Sequence, residues 1–171
     1  MNRKIYTQNR EISLVEYCPQ VDDSFQYECW QDPAVQEGYN YKMNISLDEF
    51  RKRPIRSRLL AVIIRNEDSE TIGTVSLSPE GSPPDLAIML HKSYRGQGYG
   101  KSAFALAAKY CMEAFNLERI YAGCYETNTV SLKMLKSCGF IPYPDGDSHE
   151  THYLTDEPIT QLDFVFEQNE H

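Results

Sequence analysis

The sequence predicts a mixed α/β fold, and three observations carry that expectation. Short apolar runs of strand length alternate with segments of helical period. A glycine-rich stretch, YRGQGYGKS at residues 94–102, stands between a strand pattern and a helix pattern. The 171 residues are the size of one domain and suffice to bury a core without disulfides or metals. We therefore read residues 1–171 as one domain.

The elements follow in order. EISLVEY (11–17) alternates and reads as a strand. VDDSFQYECWQDPAV (21–35) has a polar start and spaced aromatics, the pattern of a helix that ends near Pro33. SLDEFRKR (46–53) opens with Ser46 and Glu49, an S-x-x-E capping box, and stops at Pro54. RLLAVIIRN (58–66) is continuously apolar, so it predicts a strand buried on both faces. A turn at 66–69 leads into a second strand, TIGTVSLS (71–78). PEGSPPD (79–85) is a loop, because Pro83-Pro84 forbids helix and regular ladder pairing.

LAIMLH (86–91) is the next strand, and the glycine loop follows it directly. From 99 to 115 the period turns helical. Phe104, Ala107, Ala108, Cys111, Met112 and Phe115 share one stripe, widened by Ala103, Leu106 and Tyr110 into the pattern of a sandwiched helix. RIYAGCY (119–125) reads as a strand and NTVSLKMLKSC (128–138) as a helix, with Gly139 placed to end it in the left-handed conformation. QLDFVFEQ (161–168) closes as an alternating strand. DGDSHETH (145–152) reads as a mobile acidic loop. Its histidines are one residue too close for H-E-x-x-H, and it lacks the glycine and glutamate of a calcium loop. No metal site is expected. Tyr143, Tyr153, Asp145 and Asp147 are placed to draw a cationic molecule to this loop.

The net charge is −8, with no broad basic field, so nucleic acid is not an expected partner. A basic or neutral substrate suits this balance better than a polyanion. Cys18, Cys29, Cys111, Cys124 and Cys138 are odd in number and scattered, with no C-x-x-C, which argues against a disulfide framework and for a reducing compartment. No apolar leader or membrane-length run shows, so a cytoplasmic protein without a membrane partner is expected. Whether it forms a homodimer stays open.

The glycine loop fails two familiar phosphate patterns. G-x-x-x-x-G-K-[ST] needs a glycine where Arg95 stands, and G-x-G-x-x-G fails on the spacing of Gly96, Gly98 and Gly100. Its chemistry still points to an anion. The first amides of a helix lack internal acceptors, glycines let backbone approach a diphosphate, and Arg95 and Lys101 add charge.

Arg95-Gly96-Gln97-Gly98-Tyr99-Gly100 fits R/Q-x-x-G-x-G/A and resembles the acetyl-CoA pyrophosphate motif of the GCN5-related N-acetyltransferase (GNAT) superfamily. Residues 85–140 resemble that family's core through Asn128 and Gly139-Phe140, and WQDPAV (30–35) is similar to the branch of ribosomal-protein N-terminal acetyltransferases. The resemblance implies a central mixed, mostly antiparallel sheet flanked by helices. It also implies acetyl-CoA as cosubstrate and an acceptor that is an amine-bearing small molecule or a protein N-terminus. The implied cofactor contacts are Met89, Leu90 and His91 at the strand end, then Arg95, Gly96, Gln97, Gly98, Tyr99, Gly100, Lys101 and Ser102 in the loop, with Asn128 and Ser131 on the next helix. Pantetheine would pair with the strand end like an added strand.

The chain departs from the family at Leu135, where many members place a proton-donating tyrosine seven residues after the asparagine. The resemblance to that branch implies Ser131 as a substitute donor, directly or through water, against a plain local hydrogen-bonding role at the helix start, which we favour. Asn128 is read equally as a plain helix N-cap. Leu135 is expected to face the cofactor. For the base, Glu126 is favoured among Glu126, Asp85, Glu80 and His91. Two alternatives stand beside the acetyltransferase: a catalytically silent acetyl-CoA-binding regulatory module, and a nucleotide-phosphate binder.

Overall fold

A computed structural model of the protein describes residues 2–168. Five strands form one antiparallel sheet in chain order: β1 (Ile5–Gln8), β2 (Ile12–Glu16), β3 (Leu59–Arg65), β4 (Glu70–Leu77) and β5 (Leu86–Leu90). The second sheet holds β6 (Arg119–Tyr125), β7 (Ile141–Pro142), β8 (Ser148–Thr151) and β9 (Pro158–Glu167), with β9 pairing all the others antiparallel. The two sheets meet at a parallel bridge between Asp85 and Tyr121, where the Tyr121 amide donates to the Pro84 carbonyl at 2.8 Å. Beyond that bridge β5 and β6 part.

The helices are α1 (Pro19–Gln31), α2 (Pro33–Tyr39), α3 (Leu47–Arg51), α4 (Tyr99–Ala114) and α5 (Thr129–Ser137). The mixed α/β expectation therefore holds. The α4 stripe is buried at Ala103, Phe104, Ala107, Ala108, Cys111 and Met112, against Ile12, Leu14, Ala61 and Ile63 of the first sheet. On β3, Ala61 and Ile63 enter that core while Val62 packs with Val15 and Tyr17 on the opposite face, which is why its run is continuously apolar. The Ser46–Glu49 capping box forms as expected. So does the end of α5: Gly139 is left-handed, its amide donates to Lys136, and the Phe140 amide donates to Leu135.

The helix expected to end near Pro33 does so, α1 stopping at Gln31, but Pro33 then begins an unforeseen helix, α2, with Asp32 Oδ1 accepting the Ala34 amide at 2.9 Å. Residues 5–8 form an edge strand that was not anticipated. The acidic loop is not a mobile loop: residues 148–151 pair with 158–161 as a hairpin arm. Asn40 latches this arm, donating to the Thr151 carbonyl and accepting from the Tyr153 amide.

Strand β9 carries a partly buried carboxyl, Asp163. The Asp163 amide donates to Asp147 Oδ1 at 2.8 Å. Burial, with Asp147 nearby adding to it, pushes the Asp163 carboxyl up to about 6. The folded state thus binds this proton more tightly than the unfolded chain, and stability falls as pH rises from about 4 to about 6. Asp163→Asn should be more stable than wild type at pH 7 by on the order of 1 kcal/mol, after discounting for solvent screening. Denaturant titrations at pH 4 and pH 7 check this; a variant less stable at pH 7 contradicts it.

Candidate active site

The site forms where β5 and β6 separate. The His91 amide donates to Ile72 at 2.9 Å and the Ser78 amide to Asp85 at 3.0 Å, so the backbone groups of residues 85, 87, 89 and 91 turn toward β4. Ile88 and Leu90 therefore turn theirs toward the gap. Their carbonyls are already met by side chains. The Tyr39 hydroxyl donates to Ile88 at 2.8 Å, and Arg95 donates to Leu90 through Nε (3.2 Å) and Nη2 (2.9 Å). Of the three strand-end residues, only Leu90 presents its backbone to the gap. The Met89 backbone and the His91 amide serve the sheet, the His91 carbonyl accepts the Tyr94 amide, and the Met89 side chain packs with Cys29 and Val35. His91 instead orders the turn, accepting the Ser93 amide at Nδ1 and meeting Glu28 at Nε2.

The glycine loop leads from that turn into α4. Gly96 and Gly98 have φ of +73° and +87°, and Gly98 is the N-cap of α4, with no side chain capping the helix. The Ser102 amide donates to the Gly98 carbonyl at 3.2 Å, closing the first turn of the helix. The amides before it point outward from a helix of 16 residues, a concentrated positive site. Gly100 lies close beneath: a Cβ there would stand 3.3 Å from Leu90 Cδ1 and 3.6 Å from Met134 Sδ. Lys101 and Gln97 are exposed at the mouth.

Two loop residues have roles the motif did not indicate. Arg95 pairs with Asp32 Oδ2 at 2.8 Å, tying the loop to α2. Ser102 Oγ accepts from Asn9 at 2.9 Å. Arg65, unforeseen in the sequence, sits 4.9 Å over the Tyr94 ring and 6.0 Å over Tyr99 at the loop's flank, its charge paired with Asp68.

At the far end of β6 lies a cavity of about 380 Å³, walled by Glu37 and Gly38 of α2, Tyr125, Asn128 and His152 among others. Asn128 caps α5, its Oδ1 accepting the Ser131 amide at 3.1 Å, while its Nδ2 faces Gly38. Burial, with a hydrogen bond to Glu150, pushes the Tyr125 phenol up to about 12.

The structure separates the sequence's catalytic candidates from this cavity. Glu126 is exposed, and its amide donates to Thr160 at 3.1 Å; its side chain is not on the cavity wall. Asp85 sits at the closed end of the split, at the bridge to Tyr121, and Glu80 precedes it in the exposed β4–β5 loop. Ser131 is half-buried one turn into α5. Leu135 is 2% exposed and belongs to the main core, not to an open wall. The carboxylate that lines the cavity is Glu37, which sequence reasoning missed. His152 Nε2 lies 2.9 and 3.0 Å from its two oxygens. Among the described residues no three His, Cys, Asp or Glu side chains gather as a metal site.

Residues 12–141 match the family model described as an acetyltransferase (GNAT) domain. The fold is similar to that of spermidine N-acetyltransferase from Vibrio cholerae, solved with CoA and spermine (TM-score 0.81, 17% identity, 94% of this chain and 97% of that one). It is also similar to ribosomal-protein-S5-alanine acetyltransferase from Vibrio fischeri (TM-score 0.77, 16% identity, 94% and 95%). A third likeness is to a ribosomal L7/L12 α-N-protein acetyltransferase solved with coenzyme A (TM-score 0.78, 14% identity, 96% and 98%).

Proposed function

Because the chain belongs to the acetyltransferase (GNAT) family, we propose that it transfers an acetyl group from acetyl-CoA directly to a primary amine within a ternary complex. The observation that carries this reading is the uncapped N-terminus of α4, entered through left-handed Gly98, beside the parted strands β5 and β6. The outward amides from Gln97 to Lys101 hold the pyrophosphate, with Lys101 adding charge. Pantetheine lies along the open edge of β5 at Leu90. To pair there it displaces Arg95 from the Leu90 carbonyl, and the guanidinium, still held by Asp32, then turns toward the phosphates. Solved neighbours that hold CoA support the choice of cosubstrate.

The acceptor lies in the cavity beyond β6, opposite the thioester. Neighbours named for spermidine and for ribosomal proteins support an amine-bearing small molecule or a protein N-terminus. Five cysteines not joined in disulfides fit a reducing cytoplasm, and among the described residues no helix is long and apolar enough to cross a membrane. Leu135 in the core removes a phenolic acid from the expected position, and this favours one second reading, a module that binds acetyl-CoA without turning it over.

Acetyl-CoA at 100 times its dissociation constant should add about 2.7 kcal/mol of stability, and ATP should add none. Equal protection by ATP removes the acetyltransferase reading. Thiol release from acetyl-CoA across polyamines and peptide N-termini then separates the enzyme from the silent module.

A further inference from the structure

The cavity beyond β6 is closed by residues far apart in the chain. His152 follows β8, Glu37 lies on α2, and 115 residues separate them. The His152 ring is fixed on both sides. Its Nδ1 accepts two backbone amides, from Leu154 and Thr155, each at 3.2 Å. A nitrogen that accepts N–H groups carries no proton of its own. The ring proton is therefore on Nε2, and it points at both oxygens of Glu37, at 2.9 and 3.0 Å.

The backbone around the ring is equally held. The His152 amide donates to Glu157 at 2.8 Å and its carbonyl accepts from Asp156. Asn40, left-handed at the end of α2, bonds both Thr151 and Tyr153. The His152 side chain is 14% exposed, whereas Glu37 is 59% exposed and open to the cavity. Such buried scaffolding behind one accessible carboxylate is more than surface pairing needs.

We propose that His152, as the Nε2-protonated neutral tautomer, is the positioning residue that holds Glu37 charged and aimed into the cavity as the proton acceptor for an incoming alkylammonium. This rests on the acetyltransferase reading given above. The ammonium docks on Glu37 and gives it one proton. The freed nitrogen lone pair attacks the thioester carbonyl carbon, the C–N bond forms and the C–S bond breaks. The sulfur leaves with the bonding electrons and takes up one proton, while the nitrogen loses its second. One proton in total passes from Glu37 to solvent in each turnover. A neutral ring matters here, because an imidazolium would compete with the substrate cation for the carboxylate. The other groups facing the pair are the Tyr153 phenol, which hydrogen-bonds Glu37, and Tyr125 with its partner Glu150.

The experiment has two parts, on the full chain. Long-range proton–nitrogen NMR of the His152 ring at pH 7.5 should show Nε2 protonated and Nδ1 bare. Steady-state kinetics use acetyl-CoA with the best amine of a polyamine and peptide panel. Glu37→Gln should lower kcat by ~10²-fold or more and remove the acid limb of the pH profile. His152→Ala should lower kcat by roughly tenfold with the KM for acetyl-CoA unchanged, and His152→Gln, whose amide donates from the same place, should recover most of that loss. A proton on Nδ1, or a Glu37→Gln enzyme within about threefold of wild type at every pH, overturns the assignment and leaves the transferase reading intact. Wild type that releases no thiol with any amine overturns both.

Discussion

Gly98→Val should weaken acetyl-CoA binding about 100-fold while the fold survives. Gly98 stands at φ +87° as the N-cap of α4. A β-branched residue in that region costs roughly 1–3 kcal/mol. A Cβ at Gly98 would meet nothing within 4 Å, so no clash inside the protein adds to this. The added side chain occupies the space through which a diphosphate reaches the α4 amides. We expect affinity to fall by about 100-fold, equivalent to ~2.7 kcal/mol. Gly98→Asn separates the two contributions, since asparagine adopts the left-handed region readily. It should fold as well as wild type and still bind poorly. Gly100→Val acts differently, because its side chain would press on Leu90 and Met134 and so disturb the strand end too. Calorimetric titration with acetyl-CoA, beside thermal melts, reads all three. A folded Gly98→Val protein with normal affinity would place the phosphate elsewhere.

The parts legible in the sequence were those whose information is local. The period-two and continuous runs of β3, β4, β5 and β6 gave their strands, and the α4 stripe gave its buried face. The spacing of Gly96, Gly98 and Gly100 gave the loop. Non-local parts were hidden. Pro33 ends one helix and starts another, and a single proline signals both. The four residues of β8, Ser-His-Glu-Thr, show no apolar alternation, and they become a strand only because β9 offers them an edge. Arg95 matches a phosphate motif, yet its guanidinium is bonded to Leu90 and Asp32. Glu37 is one of 25 acidic residues, with nothing local to single it out. Its partner His152 is far away in sequence, and only the latching of Asn40 onto the β8 arm brings the two together.

Leu135→Tyr should lower stability and gain no activity, although it restores the phenol common in the family. Leu135 is 2% exposed in a core that includes Phe104 and Phe140, whose rings lie 5.2 Å apart. Overpacking such a site costs ~1–3 kcal/mol. The new hydroxyl adds ~1–3 kcal/mol if it is buried without a partner. Leu135→Ala tests the same site from the other side and should cost ~2–5 kcal/mol through the cavity it leaves. At ~2–4 °C per kcal/mol for a chain of this size, a 3 kcal/mol loss lowers Tm by roughly 6–12 °C. With no phenol at this position, the proposed transfer leaves Ser131 or solvent to protonate the departing thiolate. Ser131 is half-buried, its amide is spent on Asn128, and a serine hydroxyl is a weak acid. Ser131→Ala should therefore lower kcat by at most ~10²-fold and leave acetyl-CoA affinity unchanged. A Leu135→Tyr enzyme that keeps its Tm and turns over faster than wild type would show that α5 can turn this position toward the sulfur, and the core packing seen here would then not govern proton delivery.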